Sequence, residues 1–219
     1  MEVKLINITD NATELIYKAY RTCYSKDIFE EITVPKYKEK MNNWIKEKID
    51  LGHESPLEHV SMTFSITGLS RAAQQQLTRH RTSKFSVQSQ RYVDGNNFGF
   101  AVPELDYITD ETTKYVIKEH YKRLFETSKK QYNDLIKMGV KKEDARNILP
   151  IATTGNILVT MDLRNFRNFL GQRLCKHAQS EIRELANEMC KLVKAHVNFV
   201  DYKVLRCQQE LCYECKEKF

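Results

Sequence analysis

From Val60 to Thr67 apolar and hydroxyl residues alternate without a break, with Val60, Met62, Phe64 and Ile66 on one parity and Ser61, Thr63, Ser65 and Thr67 on the other. Successive strand residues point to opposite faces, so this run is a β-strand with one face on a core and one face polar. Such a strand needs a layer to cover its apolar face, and the chain supplies amphipathic helices. Ala12, Leu15, Ile16, Ala19, Tyr20 and Cys23 recur at helical spacing behind a capping Thr9 or Asp10. Tyr37, Met41, Trp44, Ile45 and Ile49 do the same between Pro35 and a stop at Gly52. A long helix is expected from Asp110 to Met138, ended by Gly139, with Ile117, Tyr121, Leu124, Phe125, Tyr132, Leu135 and Ile136 on a stripe that is core or an oligomer seam. Another runs from His177 to Val200 on Ile182, Leu185, Ala186, Met189, Val193 and His196. Val3–Ile8 and Thr154–Leu163 read as strands, Phe98–Val102 as a short extended segment, and Phe166, Phe169, Leu170 and Leu174 as the inward side of the helix after Asp162. No strand is followed by the glycine-rich turn of a dinucleotide fold. The expectation is an α+β chain, one domain over residues 1–219, with an antiparallel-rich sheet packed by long α-helices.

Gly68 closes the alternating strand, and Ser70 can cap a helix from Arg71 to about His80, with Gln76 and His80 on one face and a loop beyond. From His59 to Val93 there is no Asp or Glu, whereas Arg71, Arg79, Arg81, Lys84 and Arg91 all fall inside. Arg dominates this window although Lys dominates elsewhere, and its planar fork suits a phosphate or an imide edge as an ammonium does not. Some of these cations also suit a helix C-terminus. Ser83, Ser86, Gln88, Ser89 and Gln90 add the donors and acceptors that a polar heterocycle carrying phosphate needs. A net charge of +6 and a pI near 8.9 fit an acidic small molecule or a nucleic acid. A nucleic-acid-binding module predicts aromatics interleaved with the cations or a reading motif, and neither is present.

Two His and two Glu crowd into His53–His59, but Pro56 breaks the helix that a His-Glu-x-x-His metal site requires, so a loop with capping carboxylates is expected and no metal. His196 reads as an ordinary helix residue. The N-terminal residues have no basic lead or apolar core of a signal, and no run is long enough to span a membrane, so a cytoplasmic protein with six reduced cysteines is expected. Cys207, Cys212 and Cys215 have metal-like spacing but lack a fourth ligand, and read as thiols on a terminal helix.

Arg79-His80-Arg81, then seven residues to Ser89, with Arg91-Tyr92 behind, resembles the signature of the flavin-dependent thymidylate synthases. The similarity extends to Gly52-His53-Glu54-Ser55-Pro56-Leu57-Glu58-His59 upstream and to Asp162-Leu163-Arg164, Asn168 and Arg173 downstream, in the family's order. Lys84, Ser86 and Val87 depart from it, since the family has Ser, Asn, and Glu or Gln there. The resemblance implies a homotetrameric methyltransferase of dTMP biosynthesis, with active sites between subunits and tightly bound FAD. It implies NADPH as reductant, methylenetetrahydrofolate as one-carbon donor and dUMP as substrate, with no membrane or nucleic-acid partner. It sends Ser55, Arg79, His80, Arg81, Val87, Asp162, Arg164 and Asn168 to the flavin. It sends His53, Gln76, Arg79, Val87, Ser89, Arg91, Arg146 and Arg173 to dUMP. Arg173 and Ser89 are the catalytic candidates: a guanidinium that favours the uracil N3 anion, and a hydroxyl that hydrogen-bonds or attacks carbon-6, with His80 the nearby candidate base. No Cys lies in the basic block, so the flavin carries the hydride and no thiol attacks the ring.

Overall fold

A computed structural model describes residues 1–205 of the chain. The reading of Cys207, Cys212 and Cys215 therefore lies outside the described residues. Four strands, β1 (Glu2–Ile8), β2 (Ser61–Ser70), β3 (Lys84–Val87) and β4 (Thr154–Asp162), form one sheet in the order β1-β2-β4-β3. Every pairing is antiparallel. Thr9 N donates to Ser61 O at 3.0 Å, Leu163 N to Val60 O at 2.8 Å and Gln88 N to Asn156 O at 2.8 Å, each joining the end of one strand to the start of its neighbour. Helices α1 (Ala12–Thr22), α2 (Lys38–Asp50), α3 (Arg71–Leu77), α4 (Glu111–Lys137), α5 (Lys142–Ala145), α6 (Leu163–Arg173) and α7 (Ser180–Lys194) complete the α+β architecture.

The residues group into two compact units. One comprises Val3–Ser65, His80–Lys84 and the described residues from Val159 onward. In it the alternation of β2 does what its pattern requires: Met62 and Phe64 are buried while Ser61 is exposed. Phe64 stacks on Phe166 with centroids 5.6 Å apart, and Phe166 on Phe169 at 6.1 Å. Aromatic pairs of this kind contribute beyond their buried area. Tyr17 and Tyr20 of α1 close on Trp44 of α2 at 5.0 and 5.7 Å. Ile182, Leu185, Ala186, Met189 and Val193 bury the inner side of α7.

The other unit comprises Met1–Glu2, Ile66–Arg79 and Phe85–Leu158. Asp110 Oδ2 accepts from Thr113 N at 2.7 Å and starts α4, and Gly139 at φ +92° follows its end. The anchor of α4 is Tyr132, 1% exposed, whose hydroxyl accepts from Gly95 N at 3.2 Å. A Cβ at Gly95 would lie 2.7 Å from that ring, so only glycine fits. Leu124 is 56% exposed, so within this chain much of the α4 stripe is not core.

Several expected details differ. The cap of α1 is Asn11 in a left-handed conformation at φ 48°, without a side-chain bond from Thr9 or Asp10. Tyr37 is exposed and precedes α2. β2 continues through Gly68 to Ser70, because Gly68 at φ +80° bends the strand without ending its pairing. Ser70 Oγ accepts from Ala73 N as the sequence suggests, but α3 stops at Leu77, so Gln76 and His80 share no helix face. Lys84–Val87 is an edge strand and not loop, because pairing with β4 supplies what its polar composition does not signal. Helix α7 is shorter at both ends than expected. Among the described residues no helix is long and apolar enough to cross a membrane.

Candidate functional site

A cavity of about 310 Å³ opens beside α3 and β3, lined by Arg71, Gln74, Gln75, Thr78, Val87, Gln88, Ser89, Gln90 and Arg146. It has two guanidiniums and no carboxylate in its wall. Neutral acceptors hold both cations. Arg71 Nη1 donates to Gln74 Oε1 at 3.1 Å, and Gln74, 3% exposed, is itself fixed by its Nε2 donating to Leu69 O at 2.9 Å. Arg146 Nε donates to the backbone oxygen of Glu143 at 3.1 Å. Gln88 spans to β4, its Oε1 accepting from Asn156 N at 3.1 Å, and a Cβ at Gly155 would stand 3.3 Å from Gln74 Nε2 and 3.5 Å from Gln88 Oε1. Glycine there leaves room for both amides. Ser89 Oγ accepts from Arg91 N at 3.2 Å, which fixes the turn into Arg91. The Arg91 fork itself lies on Glu143 Oε2, at 3.0 Å from Nε and 2.8 Å from Nη2.

A larger cavity, about 1020 Å³, is lined by Ile49, Asp50, Gly52, Glu54, Arg164, Asn165, Arg167, Asn168, Lys203 and Val204. Here carboxylates accompany the cations. Arg164 Nη1 meets Glu58 Oε1 at 2.5 Å, which raises the Arg164 pKa above its already high ordinary value. Arg167 is 5% exposed and donates to the carbonyls of Phe199 at 3.2 Å, Val200 at 3.1 Å and Tyr202 at 3.0 Å, and to Glu54 Oε1 at 3.4 Å. Burial lowers its pKa, and the Glu54 charge opposes that shift. Nearby, the Tyr20 hydroxyl donates to His53 O, and burial with the Glu54 charge pushes its pKa up to about 12. The hydroxyl keeps its proton and pins the His53 backbone. Asp50 is drawn below the usual carboxylate range by hydrogen bonds from Lys203 and Tyr202.

Arg173 Nε donates to His80 Nε2 at 3.1 Å, and the imidazole meets the Phe169 ring edge-on with centroids 5.1 Å apart. Burial, with the Arg173 charge, lowers the His80 pKa from 6.5 to about 4. A ring that accepts from Arg173 and stays neutral at pH 7 is a weak general base.

The chain matches the family model described as Thymidylate synthase complementing protein over residues 4–197. It is 37% identical to the flavin-dependent thymidylate synthase of Clostridium tetani, with 98% of this chain and 91% of that one covered. It is 39% identical to that of Pyrococcus furiosus, with 86% and 77% covered. This chain belongs to the flavin-dependent thymidylate synthase family. Its fold also matches the crystal structure of the Helicobacter pylori flavin-dependent thymidylate synthase complexed with FAD and dUMP, with a TM-score of 0.73, 24% identity, and 94% of this chain and 100% of that one covered.

Among the residues that the resemblance sends to the flavin, Arg164 and Asn168 line the larger cavity. Asp162 caps α6, its Oδ1 accepting from Asn165 N at 2.9 Å, and Ser55 sits exposed on the short 3-10 turn Ser55–His59. Arg79 and Arg81 are exposed, His80 is turned to Arg173, and Val87 lines the smaller cavity. Of the residues sent to dUMP, Val87, Ser89 and Arg146 line the smaller cavity, while Gln76, Arg79 and Arg91 do not, and His53 is exposed. The sequence places Arg71 only within the basic window and Glu54 only among the capping carboxylates of His53–His59, and it singles out neither Gln74 nor Arg167. Of those two, Arg167 left a trace, a cation between the inward Phe166 and Phe169 and Leu170 of α6, which is a position that demands partners.

Proposed function

We propose that the chain converts dUMP to dTMP by reductive methylation, with methylenetetrahydrofolate giving the one-carbon unit and NADPH the reducing equivalents by way of FAD. In balance, dUMP, methylenetetrahydrofolate, NADPH and a proton become dTMP, tetrahydrofolate and NADP⁺. The observation that carries this reading is that Val87, Ser89 and Arg146, which the family sends to the nucleotide, line one cavity with cations and no carboxylate. A dianionic phosphate monoester is the ligand such a wall favours.

The larger cavity fits the flavin. It has the volume for a large cofactor, Arg164 and Asn168 in its wall, and Gly52 at φ +78° with no heavy atom within 4 Å of where a Cβ would stand. Arg164 would offer its guanidinium to the diphosphate and Asn168 its amide to a ring edge. When bound, reduced FAD supplies the hydride that completes the methyl group. The protein's own work is positioning and charge. Arg173, held by His80, lines neither cavity within this chain; in the proposed shared site it would present a cation to the uracil imide, where an opposite charge within a few ångströms lowers a pKa by about 1–3 units and favours the N3 anion and a more nucleophilic carbon-5. Ser89 hydrogen-bonds the nucleotide. No thiol is required: among the described residues no cysteine lines either cavity, and burial pushes the Cys190 pKa up to about 11. The reading includes a cytoplasmic homotetramer in which residues 1–219 act as one catalytic domain and subunits share active sites, which accommodates the scatter of Arg79, Arg81 and His53.

The test is a turnover assay on purified protein with dUMP, methylenetetrahydrofolate and NADPH, each left out in turn. Formation of dTMP with all three, together with a flavin absorbance that bleaches with NADPH, is the expected result. A colourless protein that makes no dTMP sinks the reading.

A further inference from the structure

We infer that Tyr20 is a positioning residue of the flavin site, its hydroxyl clamping the backbone of His53 so that the imidazole is presented at the edge of the larger cavity; the inference rests on the flavin reading above. His53 stands between Gly52 and Glu54, both in that cavity's wall. Its main chain is held at both polar atoms, since His53 N donates to Lys48 O at 3.0 Å and His53 O accepts from the Tyr20 hydroxyl. Its side chain is exposed, and among the described residues the imidazole has no hydrogen-bond partner. A fixed backbone carrying an unengaged imidazole suits a ligand contact, because the group is ordered before the ligand arrives. The clamp is itself rigid. Tyr20 is 2% exposed, meets Trp44 edge-on with centroids 5.7 Å apart, and keeps its proton because burial and the Glu54 charge push its pKa up to about 12. On the next residue of the turn, Arg167 Nη2 lies 3.4 Å from Glu54 Oε1. Packing alone does not call for the Tyr20 hydroxyl, since Tyr17 lies against the same Trp44 ring at 5.0 Å and, among the described residues, makes no hydrogen bond through its own.

The experiment compares the flavin-loaded full chain with Tyr20→Phe, Tyr17→Phe, His53→Ala and the Tyr20→Phe, His53→Ala double variant. Three quantities are read: melting temperature, flavin release on dilution as the return of free-flavin fluorescence, and dTMP turnover. Tyr20→Phe keeps the ring and loses one hydrogen bond, so it should melt near wild type while flavin release accelerates and turnover falls, each by about 3- to 10-fold. Tyr17→Phe should match wild type in all three. His53→Ala should show the larger loss, and adding Tyr20→Phe to it should change nothing further, because a positioning residue acts only through the group it positions. Wild-type flavin release and turnover in Tyr20→Phe overturn the inference alone. So do a melting temperature far below wild type, equal losses in Tyr17→Phe, or losses that multiply in the double variant, each of which marks a role in the fold and not in the site. Wild-type protein that carries no flavin overturns the flavin reading and the inference with it.

Discussion

Each of the two cavities is lined by a pair of arginines, and the pairs are held by opposite means. In the smaller, Arg71 is oriented by the Gln74 amide and Arg146 by the Glu143 backbone carbonyl, so both charges remain uncompensated. In the larger, Arg164 lies on Glu58 and Arg167 on Glu54. A neutral anchor fixes geometry and leaves the field for a ligand, whereas a carboxylate anchor fixes geometry and cancels most of the field. The first arrangement recruits an anion. The second suits a ligand recognised by shape and by many polar contacts. Within the larger cavity the two arginines divide again, since Arg167 is buried against carbonyls and Arg164 is about half exposed.

The largest expected effect tests that last division. Arg167→Met removes the donor to three carbonyls and leaves Glu54 without its buried partner. Breaking a buried pair by removing one member costs about 3–5 kcal/mol, so the urea midpoint should fall steeply. Arg164→Ala breaks only an exposed pair and should leave the unfolding free energy within about 1 kcal/mol of wild type, while the protein purifies with less flavin. Equal midpoints for Arg167→Met and wild type would erase the contrast.

His80 is a third kind of anchor, a neutral acceptor that acid can remove. Its folded pKa of about 4 lies below the ordinary 6.5, so between those values the unfolded state binds the proton and the folded state does not. Stability therefore falls as pH drops through that window. Relative to pH 7, the His80 contribution at pH 4 is a loss of about 3 kcal/mol. His80→Gln keeps an acceptor for Arg173 but cannot titrate, and its unfolding free energy should decline less over the same interval. Parallel declines in both proteins would refute the assignment.

What was legible in the sequence is what local pattern encodes. The alternation of Val60–Thr67 gave β2 and its buried face, and Ser70 and Asp110 announced the starts of α3 and α4 by capping chemistry. The Arg-His-Arg to Ser89 spacing, with its flanking blocks, pointed to the family. What was hidden depends on partners far along the chain. Gln74 looks like one of three consecutive glutamines, and only the carbonyl of Leu69 and the fork of Arg71 make it an anchor. Arg167 acquires its role from carbonyls 32 to 35 residues away. The strand Lys84–Val87 exists because β4 offers an edge, and its own polar composition does not signal a strand.

The smallest expected effect sharpens the contrast within the smaller cavity's own surroundings. Among the described residues, Arg91 is the arginine of this region held by a carboxylate, through side chains 52% and 37% exposed. Exposed pairs of this sort contribute about 0.2–1 kcal/mol, so Glu143→Gln should leave the melting temperature nearly unchanged. The same substitution spares the backbone oxygen that orients Arg146, so it releases Arg91 selectively. If Arg91 reaches the nucleotide once freed, the competition removed is worth that same small energy, and the dUMP dissociation constant should fall by up to about fivefold. Pairing Glu143→Gln with Arg91→Ala should abolish the gain. A dissociation constant that does not respond to Glu143→Gln would mean that Arg91 is committed to its surface pair with Glu143.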